Sequence, residues 1–206
     1  MLEMRGVIFD AFGTLLRIRP GKHPFLHLMK HGRSSGRRPQ HDDVQRIMCH
    51  PWTLRDTAEI FGIAVPEPLM LELEAQLQEE TESIEPYPEA QDAVELLQSN
   101  GFIVGVCSNL GMPYGDSIRR WFPRLDGYAL SYEVGALKPD PQIYAYCCEV
   151  MGVHPQMTSM IGDSQHCDCD GPAFIGVRGY LLDRAGGKKP GGFSDLLSFA
   201  KLQVGN

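Results

Sequence analysis

At 206 residues and 43% hydrophobic composition, the chain is long enough for one ordinary domain plus a modest insertion, with a real core. A formal net charge of −7 argues against a nucleic-acid surface as its main business, and no apolar stretch approaches the ~20 residues that cross a membrane. Met1-Leu2-Glu3-Met4-Arg5 leads into a strand rather than a long apolar leader, and the cysteines, which form no CxxC pair, read as reduced core thiols. A cytoplasmic protein with neither a nucleic-acid nor a membrane partner is therefore expected.

The first element is Val7-Ile8-Phe9, a short apolar run that reads as a buried parallel strand and ends in Asp10. Gly13 then allows a sharp turn without a Cβ penalty. From about Leu16 to Glu85 the β-branched runs vanish. Helical periodicity appears around Phe25 to Met29, Val44 to Met48, Leu54 to Phe61 and Leu69 to Leu77, which predicts an all-helical insertion.

After Pro86-Tyr87-Pro88 a strand–helix rhythm begins. A helix over 89–98 stops at Asn100-Gly101, and a strand over 102–107 ends in Ser108-Asn109. A helix over 116–122 and a short strand over 128–130 follow. Lys138-Pro139-Asp140-Pro141 precedes a helix through Ile143 to Met151, and a strand over 159–161 ends in Gly162-Asp163-Ser164. A helix near 172–175, a strand over 180–182 and a helix over 194–202 close the chain. Alternating strands and helices imply parallel pairing with right-handed crossovers.

Three strand ends, Asp10, Ser108-Asn109 and Gly162-Asp163, would then converge on the edge where such sheets bind ligands. Two facing carboxylates repel unless a cation neutralises them, and oxygen ligands suit Mg²⁺. Lys138 with hydroxyl and amide donors suits a phosphoryl group or another anion, which makes a small anionic molecule the expected substrate. Asp10 becomes a plausible carboxylate nucleophile.

In order and spacing, Asp10-Ala11-Phe12-Gly13-Thr14, Ser108-Asn109, Lys138-Pro139-Asp140-Pro141 and Gly162-Asp163-Ser164 with Asp168 resemble the four ordered motifs of the haloacid dehalogenase (HAD) superfamily. The resemblance implies an α/β fold with a Rossmann-like parallel sheet formed by residues 1–15 and 86–206, and a helical cap over 16–85. It implies that Asp10 attacks to form an ester or aspartyl phosphate that water hydrolyses, while Ser108, Asn109 and Lys138 serve the transferred group. It further implies that Asp10, the main-chain carbonyl of Phe12 and Asp163 ligate Mg²⁺, with Asp168 completing the acidic site, in part from behind the ligands.

Phe12 departs from the family's phosphatases, which carry there an aspartate that protonates the leaving oxygen, a contribution of ~10²–10⁴ in rate. The family's dehalogenases carry an aromatic residue at this position and need no metal, but their fourth motif lacks the Gly-Asp found at Gly162-Asp163. A dehalogenase also wants a cap arginine for the substrate carboxylate, and Arg17, Arg19, Arg33 and Arg37 are all available. An Mg²⁺-dependent phosphohydrolase is favoured. A 2-haloacid dehalogenase is the first alternative, and a weak enzyme that binds a ligand or partner is the second.

Other signals have plainer readings. His23, His27 and His31 recur every four residues, but Pro24 and Gly32 shorten their helix, so a solvated or substrate-facing stripe is expected rather than a metal site. Cys167-Asp168-Cys169 beside His166 is read as the acidic loop, not as a zinc site. The basic run 30–38 and the glycine-rich run 186–192 read as surface loops, and Trp52 and Trp121 as packing residues.

Overall fold

The structure, a computed structural model, describes residues 4–19, 21–186 and 192–205. The start of the N-terminal run (1–3) and most of the glycine-rich loop (187–191) lie outside the described residues. Strand β1 (Gly6–Phe9) is fully buried, and the short β2 (Leu16–Arg17) follows it. Four helices come next: α1 (Pro24–Ser34), α2 (Asp43–Met48), α3 (Leu54–Ile60) and α4 (Glu67–Glu82). Then come β3 (Glu85–Pro86), α5 (Ala90–Ser99), β4 (Ile103–Ser108), α6 (Gly115–Trp121), β5 (Gly127–Leu130), α7 (Ser131–Val134) and α8 (Pro141–Met151). The chain ends with β6 (Thr158–Gly162), α9 (Gly171–Ala173), β7 (Arg178–Leu181) and α10 (Leu196–Gly205).

The main sheet has the order β5-β4-β1-β6-β7 and is parallel throughout. Side chains alternate across it, as the two-residue period of a strand dictates. Val7 and Phe9 pack with Val104, Leu97, Ile118 and Phe199 on one face, and Ile8 packs with Ile143, Tyr144 and Cys147 on the other. Both faces are covered, which is why the strands read as continuous apolar runs. Because β1 lies between β4 and β6, the three polar strand ends fall side by side.

The helical block has its own core of Leu28, Ile47, Leu54, Phe61, Ile63, Met70 and Leu73. Arg37 braces it with a two-pronged pair to buried Asp43, at 2.7 and 2.5 Å. This contact holds the Asp43 carboxyl below its usual range, against the opposing effect of burial. A capping box between Thr53 and Asp56 starts α3.

Several elements differ from expectation. Helix α1 runs straight through Gly32, whose missing side chain admits Ile63; a Cβ there would lie 2.7 Å from the Ile63 Cδ1. The antiparallel ribbon β2–β3 ties together the two ends of the helical block, and two-residue strands are too short to carry a readable period. The helix expected near 172–175 is the short α9, which a π-helical turn, Gln165–Asp170, precedes without a break. Helix α7, a single turn, was not anticipated. All six cysteines are free, as expected, and four of them are buried. Among the described residues no helix is long and apolar enough to cross a membrane.

Candidate active site

Asp10 follows the last residue of β1 and is fixed by its own N–H, which donates to the Ile161 carbonyl at 2.9 Å. The chain then folds back tightly, with the Ala11 carbonyl accepting from the N–H groups of Leu15 and Leu16 at 2.8 Å each. Gly13 makes this possible in two ways. It takes φ +87°, and a Cβ there would sit 2.5 Å from an Asp163 carboxylate oxygen. Gly162 is constrained in the same manner, since a Cβ would collide with the Asp168 carboxylate and approach Asp10.

Asp163 emerges at the end of β6. The π-helical turn behind it is held by three bonds: the Ser164 N–H donates to Asp168 Oδ2 at 2.9 Å, the Asp168 N–H donates to the Ser164 carbonyl at 2.8 Å, and the Cys167 N–H donates to Ser164 Oγ at 3.2 Å. Such turns concentrate at functional sites, and here it returns a buried carboxylate to the sheet edge. Asp10, Asp163 and Asp168 each place a carboxylate oxygen within 4.8 Å of the other two. Among the described residues this is the one group of three or more His, Cys, Asp or Glu side chains close enough to hold an ion. The histidine row is not such a group: His27 meets Gln76, and His31 meets the Ala64 carbonyl.

Lys138 lies between two of the acids, its Nζ donating to Asp10 Oδ1 and Asp168 Oδ1 at 2.7 Å each. Burial alone would lower its pKa, but the carboxylates outweigh burial and hold the ammonium well above its ordinary value. Burial pushes the Asp168 carboxyl up to about 6, with Lys138 opposing. Ser108 donates to Asp10 Oδ1 at 3.4 Å. No hydrogen bond among the described residues reaches Asp10 Oδ2. Asn109 is engaged otherwise: its amide accepts from the Lys138 N–H at 2.7 Å and donates to the Lys138 carbonyl at 2.9 Å. It therefore fixes the main chain that carries the lysine.

Three carboxylates thus meet at the sheet edge, two of them buried and both bonded to Lys138. This donor set fits Mg²⁺, a hard cation bound by carboxylates that keeps positions for water and substrate oxygens. Asp168 already has a donor on each oxygen, whereas Asp10 keeps one without.

Beyond the acids opens a cavity of about 330 Å³. Phe12, Asn109 and Leu110 form its wall on the sheet side, and Phe25, Leu26 and Ile47 on the helical side. The Phe12 ring meets Tyr114 edge-on, with centroids 6.2 Å apart. Tyr114 donates in turn to Glu80 at 3.1 Å; burial and that carboxylate push the phenol pKa up, so it stays a donor. Tyr114 and Glu80 belong to no motif, and their meeting joins residues 34 apart in the chain. The arginines anticipated as carboxylate receptors are placed elsewhere. Arg17 and Arg19 pair with Glu85, Arg37 pairs with Asp43, exposed Arg33 is absent from the cavity wall, and none of the four lines it.

A model of haloacid dehalogenase-like hydrolases matches residues 4–176. The chain is 25% identical to (S)-2-haloacid dehalogenase 4A of Burkholderia cepacia, over 89% of this chain and 85% of that one. It is 31% identical to a phosphatase of Mycobacterium tuberculosis, over 58% of this chain and 56% of that one. Among solved structures, a HAD phosphatase from Thermococcus onnurineus superposes with a TM-score of 0.69 at 21% identity, covering 97% of this chain and 98% of the other. The acid-lined edge of a parallel sheet and the family match over most of the chain lead to one assignment: this protein belongs to the haloacid dehalogenase-like hydrolases.

Proposed function

We propose that the protein is an Mg²⁺-dependent phosphohydrolase acting on a small phosphorylated metabolite, with residues 16–85 serving as a cap over the sheet edge. The observation that carries this reading is the convergence of Asp10, Asp163 and Asp168, each with a carboxylate oxygen within 4.8 Å of the other two, beside Lys138. Carboxylates held this close repel one another, and a divalent cation between them relieves the repulsion. Asp10, Asp163 and the Phe12 carbonyl, with Asp168 behind them, would hold the ion, which would supply charge neutralisation to the phosphoryl oxygens.

The protein's own groups do the rest. Asp10 Oδ2 attacks phosphorus, displacing the leaving oxygen and forming an aspartyl phosphate that water cleaves to regenerate the carboxylate. Lys138 and Ser108 hold the transferred group, and Asn109 keeps Lys138 in place. The helical block excludes bulk water. Phe12 supplies no proton, so substrates with good leaving groups, such as acyl or aryl phosphates, turn over fastest.

A dehalogenase is the second reading. Phe12 and the long match to a haloacid dehalogenase favour it, while the engagement of Arg17, Arg19 and Arg37 with carboxylates weighs against it. The test is an assay against acetyl phosphate, p-nitrophenyl phosphate and 2-chloropropionate, with Mg²⁺ and with EDTA. Phosphate release that disappears with EDTA is expected, and chloride release indifferent to EDTA would overturn the reading. Phe12→Asp is expected to raise the rate on alkyl phosphates by up to ~10² while changing acetyl phosphate little.

A further inference from the structure

Glu80 is a carboxylate with only 7% of its surface exposed, yet among the described residues no lysine, arginine or histidine ring pairs with it. Its hydrogen bonds come from neutral donors, the His23 N–H at 2.9 Å and the Tyr114 hydroxyl at 3.1 Å. The chain before α1 wraps it closely, for a Cβ on Gly21 would fall 2.8 Å from the Glu80 carboxyl carbon. The cations of the chain before α1 are committed elsewhere: Lys22 pairs with Glu79, and Arg17 and Arg19 pair with Glu85. Burying an ionised carboxylate without a counter-charge is expensive unless something else supplies the charge.

Glu80 also lines the cavity next to the nucleophile, whose wall is otherwise mostly apolar and, among the described residues, includes His23 but neither lysine nor arginine. At about 330 Å³ the cavity is at the small end of the range for ligand pockets. We infer that it receives a phosphate ester with an apolar body and an ammonium group, and that Glu80 pairs with that ammonium. This rests on the phosphohydrolase reading and specifies its substrate. The same carboxylate discriminates against substrates bearing a second anionic group, because a carboxylate placed there would meet Glu80 with no lysine or arginine among the described lining residues.

Benzylphosphonates substituted at the para position with aminomethyl, hydroxymethyl or carboxymethyl serve as non-hydrolysable probes, titrated calorimetrically into the full chain with excess Mg²⁺. The ammonium compound is expected to bind about tenfold tighter than the hydroxymethyl compound, the worth of one charge-assisted hydrogen bond, and the carboxylate compound more weakly than either. Glu80→Gln keeps the size of the side chain and is expected to bring the ammonium and hydroxymethyl compounds within about twofold. Equal binding of the ammonium and carboxylate compounds by the wild type overturns the inference, as does binding by none of the three. So does an ammonium preference that survives Glu80→Gln. The wild-type comparison needs no variant and decides the matter alone if Glu80→Gln does not fold. Metal-dependent phosphate release from phenyl phosphate tests the parent reading separately. Release without the charge order rejects the ammonium subsite only, and the charge order without release rejects the reaction only.

Discussion

Replacing Lys138 with methionine is expected to cost about 3–5 kcal/mol of stability and to lower the rate by a further ~10²–10³ in the fraction that remains folded. Methionine keeps the apolar stem, so little packing is lost. What is lost is the ammonium that separates Asp10 from Asp168, and burial already disfavours the ionised form of Asp168. The cause can be separated from simple loss of fit by adding Asp10→Asn to Lys138→Met. One of the two stranded carboxylates then becomes neutral, and part of the stability returns. A double variant whose loss is the sum of the two single losses would show that the lysine acts by packing rather than by charge. Urea titration of the four proteins measures this.

Asp10→Asn alone is expected to separate activity from stability. Removing a nucleophile leaves only positioning and binding, and the hydrolytic rate falls roughly 10⁴- to 10⁶-fold. Stability without metal is expected to stay within about 1 kcal/mol of the wild type or to rise, because the change removes one of three mutually repelling carboxylates and leaves Asp168 to pair with Lys138. Single-turnover phosphate release and thermal unfolding on the same samples give both numbers. A variant that retains a tenth of the rate would remove Asp10 from the nucleophile's role.

The layout of the sheet edge was legible in the sequence because each part of it is local. A buried apolar run that stops at a polar residue announces a strand end, and strand alternation with helices makes the pairing parallel. Asp10, Ser108 and Asp163 thus fall side by side once β1 is flanked by β4 and β6. The role of Asn109 was not legible: the residue type announces a donor, but only the fold shows that its amide meets the Lys138 main chain. The same holds for Glu80. In the sequence it is one of several acids in an amphipathic helix, and only its contacts with His23 and Tyr114 distinguish it. Gly32 misled for a related reason. Glycine usually weakens a helix, but here the close approach of Ile63 is what the helix needs.

The central claim is that distant acidic side chains gather to hold a divalent ion beside an attacking oxygen. Calorimetric titration of the wild type with Mg²⁺, paired with thermal unfolding, tests it most directly. One bound ion per chain is predicted, with a stabilisation of about 2.7 kcal/mol when Mg²⁺ is a hundredfold above its dissociation constant, and both signals lost in Asp163→Asn. No heat and no stabilisation in the wild type would contradict the account.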